Sequence, residues 1–176
     1  MKPTKLSFFL FILFLCIIFH ASLCSANLYH AVCNEYRPRS DYNYCVRVLK
    51  SDSRIPLAKT YHDLSKLILE LSINQAMTVQ ASFIEMAQHL PSEEALGQCA
   101  GKFYDESIES FNKALSNLDK DPLSSRTDAQ DAGDGVIDCI NALENTKEIY
   151  DPKVSYRNKK ILFLSVMSFF AINHLT

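Results

Sequence analysis

Cysteine offers this chain its widest choice of chemistry: as a nucleophile, a metal ligand or half of a disulfide, with spacing and compartment deciding which. Six occur, at Cys16, Cys24, Cys33, Cys45, Cys99 and Cys139. No two of the last four stand at a Cys-x-x-Cys spacing and no His-x-x-x-His lies beside them, so a metal site is not expected. His30, His62, His89 and His174 are widely separated, and no Gly-x-Ser-x-Gly elbow, His-Glu-x-x-His or Gly-rich phosphate loop accompanies them. His62 with Asp63 reads as solvated helix surface. The carboxylate pairs Glu93–Glu94 and Asp131–Asp134 are of the type that hydrolyses glycosidic bonds. Nothing sets their pKa values apart, and capping or solvation accounts for them. The expectation is a protein with no catalytic residue and no cofactor.

The compartment is written in the first 26 residues. Lys2 and Lys5 precede an apolar run from Leu6 to Phe19, followed by small residues over Ser22 to Ala26, the order of a secretory signal. The run falls short of the ~20 residues a spanning helix requires. Cleavage after Ala26 takes 26 of the 176 residues, leaving 150, and with Lys2 and Lys5 gone the formal charge moves from -2 to -4. Residues 27–176 then form one exported domain. It retains Cys33, Cys45, Cys99 and Cys139, an even number where thiols oxidise, so two disulfides are expected. Four cysteines allow three pairings and spacing alone does not choose; sequential pairing is the economical one.

With a pI near 6.2 and 18 Lys and Arg against 20 Asp and Glu, the chain lacks the basic field that displaces phosphate counterions, which argues against nucleic acid as a partner. No Asn-x-Ser/Thr acceptor occurs, so N-linked glycans are not expected.

The elements that position the cysteines are helical. Pro38, Pro56, Pro91, Pro122 and Pro152 punctuate the exported chain, and from Pro56 onward successive prolines bracket stretches of helical composition. From Leu57 to Leu90 the residues Leu57, Tyr61, Leu64, Ile68, Leu71, Met77, Phe83 and Met86 recur at mostly three- or four-residue steps, predicting one apolar stripe. Ser92 is the expected N-cap of a second helix that runs to Leu118, with Glu93 and Glu94 at its positive end. A polar turn over Asp119–Arg126 leads to a third helix, Thr127–Ile149, whose first half is weakened by Gly133 and Gly135. The fourth, Arg157–Leu175, is basic at first and almost wholly apolar from Ile161 to Ile172.

That apolar tail has three readings: a core helix, a membrane span, or a lipid-anchor signal. Twelve residues are short for a span, and no run of small residues beside Ser155 marks an attachment site, so a buried bundle helix is expected and a stable membrane span is not. With no strand alternation and no hairpin dipeptides, the fold expected is all-α: an antiparallel up-down four-helix bundle preceded by a shorter N-terminal piece.

With signal, cysteines and helices in place, the chain resembles the plant invertase and pectin methylesterase inhibitor family. The likeness rests on Cys33 to Asp52, which reads C-x11-C-V-x2-L-x2-D, on Leu96-Gly97-Gln98-Cys99-Ala100 followed by Tyr104, and on Asp138-Cys139. It implies a four-helix bundle with a protruding N-terminal helical hairpin, and disulfides joining Cys33 to Cys45 and Cys99 to Cys139. It also implies a non-catalytic protein of the apoplast or cell wall, or else the vacuole, that lies over the active-site cleft of a carbohydrate-active enzyme.

Two partners compete, pectin methylesterase and acid invertase. The resemblance implies that invertase inhibitors use a Pro-Lys-Phe motif in the turn between the helices bearing the third and fourth cysteines. Here that turn reads Asp121-Pro122-Leu123-Ser124, keeping the proline without the cation or the aromatic, so pectin methylesterase is favoured and these four residues are the expected contact. A family stretch Ser-Ala-Ala-Leu before the fourth cysteine is replaced by Ala132-Gly133-Asp134-Gly135. Two readings of other classes stand beside the inhibitor: a small-molecule carrier or membrane-associated protein, motivated by the Phe-rich tail, and a hydrolase using the carboxylate pairs.

Overall fold

The computed structural model describes residues 27–36, 41–145 and 152–176. The signal segment, Pro38 and the expected end of the third helix at Ile149 lie outside them. Among the described residues every regular element is helical. Two short helices, α1 (Leu28–Glu35) and α2 (Tyr42–Leu49), precede α3 (Tyr61–His89). A composite helix follows, made of α4 (Glu94–Gln98), a π-helical turn (Cys99–Phe103) and α5 (Tyr104–Asn117). The chain ends with α6 (Pro122–Glu144) and α7 (Pro152–Asn173). The four long helices form the antiparallel bundle, and α1 and α2 form the hairpin laid against it.

The expected stripe on α3 needs two corrections. The helix begins at Tyr61, because the Thr60 side chain caps it by accepting from the Asp63 amide at 3.0 Å, and Leu57 stays outside at 75% exposed. Met77 is also exposed. It sits nine residues after Ile68, which at 3.6 residues per turn is about half a turn away, whereas Val79 returns to the Ile68 face and is buried. Leu64, Ile68, Leu71, Ala76, Val79 and Phe83 are the face that meets the core.

Proline and its neighbours move the other helix starts. Pro91 and Ser92 form a tight turn closed by the Glu93 amide donating to the Leu90 carbonyl, so α4 starts at Glu94 and Ser92 does not cap it. Pro122 and Pro152 are themselves the first residues of α6 and α7, where their missing amide hydrogen costs nothing. Most of the expected polar turn is therefore helix, and each of these two helices starts about five residues early.

Gly133 and Gly135 do not interrupt α6. A Cβ on Gly135 would collide with the Phe103 carbonyl oxygen and lie 3.2 Å from the Ser107 amide nitrogen, and one on Gly133 would reach 2.8 Å from Ser165 Oγ. Their loss of helix propensity is offset by the close approach of α6 to its neighbours. Around them Ser107 Oγ donates to the Ala132 carbonyl and Ser125 Oγ to the Ala114 carbonyl, both at 2.7 Å, so the buried hydroxyls of this seam are satisfied.

The apolar tail is a bundle helix, with Ile161, Leu164, Met167, Ala171 and Ile172 fully buried, each of the larger ones contributing about 1.5–3 kcal/mol of transfer free energy. No helix among the described residues is long and apolar enough to cross a membrane. The hairpin packs on the same helix: Tyr36 and Tyr44 meet the Phe163 ring edge-on at 5.3 and 5.0 Å, and Cys45 Sγ lies 3.4 Å from Met167 Sδ.

Candidate functional site

The disulfides join Cys33 to Cys45 and Cys99 to Cys139, with Cα atoms 5.6 and 5.0 Å apart. All four cysteines are buried. The first bond closes the α1–α2 hairpin. The second fastens the π turn to α6, beside a polar chain through the core: Tyr104 donates its hydroxyl to Asn158 Oδ1 at 2.7 Å, and Asn158 Nδ2 lies 3.6 Å from Cys139 Sγ. Burial raises the Tyr104 pKa, which keeps the phenol neutral as a donor. The Ala100 carbonyl, in the π turn, accepts from Gln80 Nε2 at 3.0 Å, and Gln80 also reaches Asp105 Oδ1 at 2.6 Å.

Asp121, Pro122, Leu123 and Ser124 stand at one end of the bundle, where α5 hands over to α6. Asp121 is the N-cap: Oδ1 accepts from the Ser124 amide at 3.1 Å and Oδ2 from the Ser124 hydroxyl at 2.6 Å. These bonds, that from the hydroxyl first, hold the Asp121 carboxyl below the usual aspartate range. Pro122 supplies the preset first helical residue, and Leu123 projects at 56% exposed. The stretch is thus a rigid helix start with one apolar side chain outward, and its carboxylate is already committed to the backbone.

The same end gathers polar groups that sequence separation hides. His62 Nε2 meets Asp119 Oδ1 at 2.5 Å, joining the start of α3 to the turn after α5. His174 Nε2 meets Glu35 Oε1 at 2.6 Å, and its ring stacks on Tyr61, so α7 holds the end of the hairpin and the start of α3 together. Arg126 Nη1 donates to Asn173 Oδ1 at 2.7 Å, with its guanidinium over the Phe169 ring. His62 lies on the partly solvated surface of α3, and its acid partner is Asp119, 57 residues away, rather than its sequence neighbour Asp63.

Both pairings of imidazole with carboxylate tie helix ends together near the surface, and among the described residues neither has a hydroxyl or thiol hydrogen-bonded to its imidazole Nε2. Glu93 is a helix cap residue and Glu94 bonds Gln98 at 2.9 Å, while Asp131 and Asp134 are exposed on α6. Among the described residues no three His, Cys, Asp or Glu side chains gather where they could hold a metal ion.

The four long helices, the N-terminal hairpin and the two buried disulfides define a disulfide-clamped all-α bundle. The chain belongs to the plant invertase/pectin methylesterase inhibitor family, whose sequence profile matches residues 21–169. That family is one of enzyme inhibitors. In fold it is similar to a mutant form of a pectin methylesterase inhibitor from Arabidopsis, with a TM-score of 0.66 at 18% identity over 76% of this chain and 89% of that one. It is also similar to a pectin methylesterase inhibitor from Arabidopsis thaliana, with a TM-score of 0.62 at 17% identity over 86% and 97%. No curated protein matches the sequence significantly.

Proposed function

We propose that the chain is exported by the segment 1–26 and that residues 27–176 act in the apoplast or cell wall as a non-catalytic inhibitor of pectin methylesterase, covering its active-site cleft. The observation that carries the choice of target is the α5–α6 turn. A sucrose-binding cleft rewards a cation followed by an aromatic wedge directly after the proline, and here Leu123 and Ser124 stand at those two positions, both exposed, while Asp121 is spent as the helix cap. The two solved structures named above are both described as pectin methylesterase inhibitors, which supports the same target. Asp121, Pro122, Leu123 and Ser124 belong to the contact, with Leu123 as its apolar point.

Titration of the purified, oxidised protein against a pectin methylesterase and an acid invertase at several pH values tests this. Loss of esterase activity at stoichiometric protein, with invertase unaffected, is expected. Inhibition of invertase alone would transfer the assignment to that target, and two unaffected enzymes would end the inhibitor reading.

A further inference from the structure

An open groove of about 730 Å³ runs between α3 and the start of α7, within the size range of small-ligand sites. Lys153, Tyr156, Arg157 and Lys160 form its α7 wall, and Gln75 and Ser82 face them from α3. Residues 153, 157 and 160 fall on one helix face, and at a 1.5 Å rise per residue the three cations are spread over about 10 Å. The only acid among the described lining residues is Glu85, on the α3 side. On a chain whose formal net charge is -2, this is a local reversal of sign.

Among the described residues, two of these cations have no carboxylate partner. Lys160 is half-buried, and its Nζ donates to a neutral acceptor, Gln75 Oε1, at 2.7 Å. Burial pushes its pKa down. Arg157 makes no ion pair or hydrogen bond with any described residue. A partly desolvated cation with only a dipole for company gains most from an incoming anion, because the desolvation cost is already met.

The rest of the lining suits a polyhydroxylated ligand. Ser82 and Thr78 donate their own hydroxyl hydrogens to the Val79 and Asn74 carbonyls, at 2.7 and 2.8 Å, which leaves their oxygens as acceptors on the groove wall. Tyr156 is 54% exposed and is held edge-on by Tyr44, with ring centroids 6.4 Å apart, so a flat ring face stands at the groove beside the cations. Tyr44 is itself neutral, its pKa pushed up to about 12, chiefly by burial. A concave site does not fit a flat bilayer.

We infer that this groove binds a linear acidic oligosaccharide, a run of uronic-acid rings whose carboxylates meet Lys153, Arg157 and Lys160 while one ring lies on Tyr156. The inference does not rest on the inhibitor reading, and its test contains no esterase.

Calorimetric titration of the oxidised protein with a short uronic-acid oligosaccharide is expected to show binding that weakens with added salt. The same oligosaccharide with its carboxyls methyl-esterified is expected to bind at least about ten-fold more weakly, since a hydrogen-bonded charge contact is worth roughly that factor. Arg157→Gln and Tyr156→Ala, both at exposed positions, are each expected to lower affinity about ten-fold with unchanged helical circular dichroism. Absence of binding, equal binding of the esterified ligand, or full affinity in both variants would overturn the inference. So would a poly-glutamate peptide that binds as tightly as the sugar acid, which would give the groove to an acidic peptide instead.

Discussion

Gly135, in the middle of α6, faces the backbone of Phe103 in the π turn so closely that a methyl group there would strike the Phe103 carbonyl oxygen. The obstacle is backbone, held in place by the neighbouring Cys99–Cys139 bond, so it cannot swing aside as a side chain would.

Gly135→Ala is therefore expected to destabilise the protein by about 1–3 kcal/mol despite the better helix propensity of alanine. Gly97→Ala, in α4 with open space where its Cβ would go, is expected to be neutral or to stabilise by up to about 1 kcal/mol. Urea midpoints of the two variants, read at constant slope, check both signs.

The two disulfides close spans of 12 and 40 residues. On the chain-entropy estimate the first contributes roughly 3 kcal/mol and the second roughly 4. Replacing each pair by serines should thus lower stability more for Cys99 with Cys139 than for Cys33 with Cys45. Thermal unfolding of the two double variants ranks them, and the reverse order would contradict the estimate.

Tyr104→Phe removes the donor from a buried Asn158 and leaves Oδ1 without its 2.7 Å bond. The expected cost is about 1–3 kcal/mol, the penalty of an unsatisfied buried polar group. Equilibrium denaturation measures it, and a change below about 0.5 kcal/mol would mean that the amide finds another partner.

Acid should weaken the α6 cap. The folded Asp121 carboxyl titrates below its unfolded value, so its stabilisation is present above the ordinary aspartate range and is lost as pH falls through the lowered pKa. Asp52, held down by the Arg54 guanidinium, behaves in the same sense. The gap in melting temperature between the native protein and Asp121→Ala is expected to be constant near neutrality and to close on acidification. A gap that widens toward low pH would reverse the assigned sign.

The all-helical class and the four long helices were legible from residue types alone, because helical periodicity and proline placement are local properties of the chain. The pairing Cys33 with Cys45 and Cys99 with Cys139 was favoured by economy and by resemblance, and packing of the hairpin on α7 and of the π turn on α6 decided it. Polarity over Asp119–Arg126 reads as a turn and the basic run at Arg157 as a helix start, which places α6 and α7 about five residues late, because the folded chain uses Pro122 and Pro152 as first helical residues. Only the tertiary structure could bring His62 to Asp119, His174 to Glu35 and Gln75 to Lys160, pairs 57, 139 and 85 residues apart. Such pairs depend on how four helices are rotated and slid against one another, and that is decided by the summed fit of side chains across the seams, with Gly133 and Gly135 among the closest contacts.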